Sequence, residues 1–258
     1  MVALPVAAVL AFVPTGAGAP QANRIAVTTV PWTVVGTHVG VKGTVTPHPA
    51  GLQVRLQQRK GTGWLTVGAG QVRADGSFAL VTQPDRVGIA TYRVVGANFT
   101  GESDRVPVRV LHWVYVGSVP GFAYAPPISG EVTLDPIKSA GVNYQHPVSM
   151  DAGCYNQWGG DAWVDYDLAR QYELFTATVG LDDAAPAGST ATYNLIGGDG
   201  RKLASGSLVM GSATKIHVSV AGEYRLRLRV NVPDPYNAAG CSTTYTKVVF
   251  GDAELLGP

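Results

Sequence analysis

Phe175-Thr176-Ala177-Thr178-Val179-Gly180-Leu181-Asp182-Asp183 is the stretch that decides the fold. Phe175, Ala177, Val179 and Leu181 alternate with Thr176, Thr178 and Gly180, the period of a strand with one face buried and one wet. The strand runs directly into two adjacent carboxylates. Soon after, Gly198-Asp199-Gly200 closes a second strand in a tight turn, where glycine adopts positive φ without a steric penalty. This is the pattern of strands joined by short loops, with acidic side chains on the loops.

The composition agrees with that pattern along the whole chain. Only 14% of the 258 residues are charged, and there are 32 glycines and 17 prolines. Such a chain is poor in helix formers and rich in turn residues, as expected of short strands joined by many turns. The length suffices for two modest domains, each with its own core. A formal net charge of +1 creates no field that would gather nucleic acid or an anionic membrane. Residues 1–22 read as a secretory signal peptide, with an apolar, alanine-rich run ending in Ala17-Gly18-Ala19. No other apolar run is long enough to cross a bilayer, so no membrane insertion is expected after cleavage. In an exported protein, Cys154 and Cys241 are expected to form one disulfide. Its long loop would be worth roughly 4–5 kcal/mol in the chain-entropy model.

Residues 24–111 read as a β-domain. Val39, Val41 and Val45 alternate with Gly40, Lys42 and Thr44, and Leu52, Val54 and Leu56 with Gln53, Arg55 and Gln57. About seven short strands, with Asp75-Gly76 as a hairpin turn, predict an immunoglobulin-like sandwich. The stretch Val72–Leu80 resembles bacterial Ig-like repeats that space or present other domains. His112-Trp113 marks a junction. Residues 114–257 then predict a second sandwich, with strands at Glu131–Leu134, Val148–Met150, Trp163–Leu168, Tyr172–Val179, Thr190–Ile196, Thr214–Val220, Glu223–Val230 and Thr244–Phe250. The expected class is all-β, an Ig-like sandwich followed by a jelly-roll sandwich.

Asp165-Tyr166-Asp167-Leu168, the 175–183 stretch, Tyr193–Gly200 and Ala221–Leu228 together resemble the NPCBM family of carbohydrate-binding modules. Tyr144-Gln145-His146-Pro147-Val148-Ser149-Met150 is similar to the family's opening strand. Phe250-Gly251-Asp252-Ala253 resembles its closing motif, with Phe250 where the family usually carries Trp. The resemblance covers most of residues 114–257. It implies a galactose-binding-like jelly roll, secreted or displayed at the surface, that binds a carbohydrate or polysaccharide without catalysis. It also brings Tyr144 and His146 into the candidate binding set. A lone histidine such as His146 has a structural alternative too.

The residues themselves point to the loop Cys154–Trp163. Sugars bind by stacking apolar C–H faces on aromatic rings and by hydrogen bonds from planar amides and carboxylates. Tyr155, Asn156, Gln157, Trp158 and Asp161 supply all of these, and Gly159-Gly160 lets the loop turn. The alternative is that Trp158 or Trp163 plugs the end of the sandwich. Asp182 and Asp183 have three readings: ligands of a structural calcium ion, an acid/base pair, or loop-fixing groups. Adjacent residues at a strand end point to opposite sides, which argues against a facing pair of glycosidase carboxylates. No other cofactor is implied. Arg225, Arg227 and Arg229 leave one sheet face together, either as a cationic stripe or paired with acids on a neighbouring strand. The sequence carries no nucleophile elbow, no His-Glu-x-x-His motif and no phosphate loop. The rival to a glycan-binding protein is a cell-surface adhesion protein whose sandwich meets a protein partner.

Overall fold

The computed structural model describes residues 23–47, 51–119, 121–124 (backbone only), 132–151, 160–232 and 246–258. The signal-peptide segment, both cysteines, and Tyr155, Asn156, Gln157 and Trp158 lie outside the described residues. The strands are β1 (Arg24–Thr28), β2 (Trp32–Val34), β3 (Val39–Thr46), β4 (Gln53–Lys60), β5 (Gly63–Gln71), β6 (Ser77–Thr82), β7 (Gly88–Gly96) and β8 (Val106–Tyr115). There follow β9 (Gly121–Tyr124), β10 (Val132–Thr133), β11 (Ile137–Ser139), β12 (Val142–Tyr144), β13 (Val148–Asp151) and β14 (Gly160–Asp167). The last six are β15 (Leu174–Leu181), β16 (Thr190–Gly197), β17 (Lys202–Val209), β18 (Ala213–Ser219), β19 (Arg225–Val232) and β20 (Lys247–Gly257). The one helical element among the described residues is a 3-10 turn at Val116–Ser118. No helix among them is long and apolar enough to cross a membrane.

The chain divides into two compact units. The first comprises Met1–Pro31, His38–Gln83 and Ala90–Val108; the second comprises Trp32–Thr37, Pro84–Ile89 and Arg109–Pro258. In the first unit, β1, β3 and β6 form one antiparallel sheet and β5, β4 and β7 another. The alternation read from sequence sets the burial: Val39, Val41, Val45, Val54, Leu56, Phe78, Leu80, Tyr92 and Val94 are all buried. The Asp75-Gly76 turn closes as expected. Gly76 has φ +82°, and Asp75 Oδ1 accepts from Ser77 N at 2.9 Å. Those hydrogen bonds from Ser77 hold the Asp75 carboxyl below its ordinary range.

The second unit contains two antiparallel sheets. One has the order β17-β16-β19-β14-β9; in the other β20 is central, with β15 then β18 on one side and β13 then β10 on the other. The end of β8 also pairs with β20, from His112 opposite Gly257 to Tyr115 opposite Glu254. Phe175, Val179, Leu195, Leu226, Leu228, Phe250 and Leu255 form the middle of the shared core. Each fully buried large side chain is worth roughly 1.5–3 kcal/mol. The deciding stretch sits in register between β18 and β20, with its alternate residues facing this core.

The Gly198–Gly200 turn is locked by residues that sequence reasoning placed in a strand. Glu223, only 8% exposed, accepts from Gly198 N at 2.8 Å and pairs with Arg201 at 2.9 Å. Tyr224 donates its hydroxyl to Gly198 O at 2.6 Å. Glu223 therefore belongs to a turn, and the regular strand starts at Arg225. A side chain at Gly198 would collide with the Tyr224 ring, so two turns distant in sequence require each other.

Candidate functional site

His146 follows β12 and immediately precedes the buried Pro147 and Val148 that open β13. Its ring is exposed to solvent on one side and stacks on Tyr115 on the other, with centroids 3.9 Å apart and planes inclined by 25°. Tyr115 ends β8, and the 3-10 turn behind it is tied down by Ser118 Oγ donating to Tyr115 O at 2.6 Å. Leu134 leans over this turn; a Cβ at Gly117 would sit 3.1 Å from its methyl carbons. Together Tyr115, Gly117, Ser118, Leu134, His146 and Pro147 line a depression of about 270 Å³. Its walls offer two rings, an apolar side chain and a hydroxyl, a mixture suited to a ligand with both C–H and O–H faces.

Glu254 stands beside this depression. It is opposite Tyr115 on one side and Thr176 on the other. Burial pushes its carboxyl above the ordinary value of 4.5 and nearby Asp252 adds to the rise, while His146 opposes both. A raised folded-state value means that the ionised form is disfavoured by folding. The resulting stability is complete below the ordinary value and is lost as pH rises through the raised one. Glu254→Gln is therefore expected to increase thermal stability at about pH 7 relative to the native chain, and to make no difference at acidic pH. Equal shifts at both pH values would show that the carboxyl is not the cause.

The remaining sequence candidates fall elsewhere. Tyr144 is buried at 7% exposure, with its ring over Gly251, where any side chain would overlap it. Asp161 lies on β14, in the sheet opposite to β13, and accepts from Arg229 Nη2 at 2.5 Å and Asn231 Nδ2 at 2.8 Å. Asp182 Oδ1 accepts from Ala184 N at 3.0 Å. Asp183 Oδ2 accepts from Gly141 N at 3.0 Å, with Lys138 Nζ 3.9 Å away. The two carboxylates thus engage different segments, one its own loop and the other the β11–β12 hairpin. No group of three or more His, Cys, Asp or Glu able to hold a metal occurs among the described residues.

The arginine stripe is paired. Arg227 makes a bidentate contact with Asp165 at 2.7 and 2.9 Å, Arg225 reaches the same carboxylate at 3.4 Å, and Arg229 takes Asp161. Donating these hydrogen bonds to Asp165 raises the Arg227 pKa further. Trp163 is half-buried, with the Arg227 guanidinium 3.9 Å over its ring. Tyr115, Ser118, Leu134 and Glu254 were not singled out from sequence. Nothing local marks them, because the site is made by strand register.

The C-terminal module thus consists of two antiparallel sheets with a ring-lined depression beside one of them. The NPCBM/NEW2 domain model matches residues 125–255, and the chain belongs to that family of carbohydrate-binding modules. Among solved structures, the CBM51-2 and INT domains of Clostridium perfringens ZmpB are 17% identical, with a TM-score of 0.44 over 67% of this chain and 38% of that one. The CBM51 of Clostridium perfringens GH95 in complex with methyl-galactose is 21% identical, with a TM-score of 0.41 over 55% of this chain and 99% of that one. The chain thus spans 38% of the length of the first of these structures. No curated protein matches the chain.

Proposed function

We propose that the chain is a secreted, non-catalytic glycan-binding protein whose C-terminal module takes a neutral, galactose-like sugar. In this reading the residues 24–111 act as an Ig-like spacer. The observation that carries it is the stacked Tyr115–His146 pair walling a depression of about 270 Å³, in a chain of a carbohydrate-binding family. An imidazole supplies a hydrogen bond to a hydroxyl, and exposed apolar wall supplies contact for the sugar's C–H face. Glu254, which feels both His146 and the acidic Asp252, disfavours an anionic sugar and so favours a neutral one. The side chains of Tyr155, Asn156, Gln157 and Trp158 add sugar-binding chemistry to the proposal, whereas Asp161 is taken up by Arg229 and Asn231. Asp182 and Asp183 serve as loop-fixing groups, with a structural calcium ion as the variant that a chelator would expose. Affinity for one sugar is modest, because a shallow site must offset ordering costs.

His146→Ala and Trp158→Ala, each tested on an array of neutral galactosides, are expected to lose retention. Full retention by both variants would remove this surface as the site. A chelator is expected to leave retention unchanged.

A further inference from the structure

The chain carries almost no net charge, yet four of its arginines converge on one sheet face of the first unit. On β4, Val54 and Leu56 are buried, so Arg55, Gln57 and Arg59 face the other way. The register places Gln57 opposite Arg93 of β7 and Arg59 opposite Trp64 of β5. Arg93 lies 4.1 Å over the Trp64 ring and Arg105 lies 5.7 Å from the ring centre. Arg93 is also fixed by Gln57 at 2.9 Å and by Glu102 at 2.7 Å. Its side chain is 20% exposed, whereas Arg55, Arg59 and Arg105 are open to solvent. Counting both Glu102 and Asp104 of the adjoining segment against them, four guanidiniums still face two carboxylates.

Such a face is costly unless something offsets its charge. Four like charges within a few residues' span repel one another. Among the described residues the only ion pair on this face is Arg93–Glu102. The indole and Arg93 form a rigid, flat centre, and the three exposed arginines surround it with forked donors that match planar carboxylates. Arg55 and Arg59 are four residues apart on one strand, or about 13 Å, so one small anion cannot reach both. The charge complement is a chain bearing repeated carboxylates.

The geometry points to a second binding surface: the outer face of β5-β4-β7, built on Arg55, Arg59, Arg93, Arg105 and Trp64, binds a carboxylate-bearing polysaccharide. This occupant differs in charge from the neutral sugar proposed for the C-terminal module, and the inference does not depend on that proposal. The surface supplies the planar ring and donors that an acidic sugar uses. It carries too little surplus charge to hold a nucleic acid duplex through its phosphates.

The test is affinity electrophoresis of the full chain in gels containing polygalacturonate, with a neutral galactan as control. The native chain is expected to be retarded by polygalacturonate, and less so as salt is raised. Combined Arg55→Gln, Arg59→Gln and Arg105→Gln substitutions are expected to weaken this binding about tenfold, summing three exposed charge contacts. Thermal stability should not fall, because all three side chains are solvent-exposed and their removal relieves like-charge repulsion. Arg105→Glu, a single reversal, should weaken binding as well. His146→Ala should leave polygalacturonate binding intact, so failure of the neutral-sugar reading is distinguishable from failure of this one. Native-like retardation of the triple variant would overturn the proposal. So would tighter binding of duplex DNA than of polygalacturonate.

Discussion

Phe250→Ala is expected to cost about 3–5 kcal/mol, the range for truncating a large buried aromatic side chain. Phe250 is fully buried on β20 between Val148 of β13 and Val179 of β15. Its ring meets Tyr193 of the opposite sheet edge-on, with centroids 6.3 Å apart and planes at 84°. The side chain therefore touches both layers, and neither sheet can close over the void without moving against its own hydrogen-bonded ladder. Denaturant unfolding should show a lower midpoint at an unchanged slope. Phe250→Trp would install the residue that the family usually carries here. It is expected to destabilise through overpacking, because this core is already filled around phenylalanine. A loss below about 1 kcal/mol for the alanine variant would mean that the two sheets are not held together at this point.

The second large effect is expected at Asp165, a carboxylate only 1% exposed on a face that is otherwise polar. Asp165→Ala leaves Arg227 and Arg225 facing each other without their shared acid, and the expected loss is about 2–4 kcal/mol. That is somewhat less than for a fully buried pair, because the two arginine side chains are 28% and 27% exposed. The informative comparison is the double variant Asp165→Leu with Arg227→Met. If the loss in the single variant comes from an orphaned charge, removing both partners should recover most of it. If the double variant is as unstable as the single, the pair itself was contributing the stability.

The sheets were legible from sequence because burial on one face writes an alternating pattern. The 175–181 stretch, the Asp75-Gly76 turn and the strands around Val164, Leu195 and Leu228 were all recognisable in this way. β17 was not: Lys202-Leu203-Ala204-Ser205-Gly206-Ser207 is an edge strand of small residues, with Gly206 kept bare by the ring of Tyr193. The pairing of the arginine stripe with acids followed from period two, since Asp161, Trp163 and Asp165 leave the same face one strand away. The candidate site was legible only in part. His146 carries a family resemblance, but its partner Tyr115 belongs to a strand that reaches it through β20. Tyr144 carries the same resemblance, and its burial depends on Gly251 in a distant strand. No window of sequence contains either relation.

β20 lies at the centre of its sheet, hydrogen-bonded to β13 and β15 and, near its end, to β8. It is also the last of the described strands in chain order. Until Lys247–Gly257 has been synthesised, β13 and β15 present open edges and the apolar faces meant for Phe250 and Leu255 stay wet. The module therefore cannot close before its own β20 is available, and its many long-range pairings make that step slow. During that interval the edges of β13 and β15 that await β20 stay free to pair with another chain.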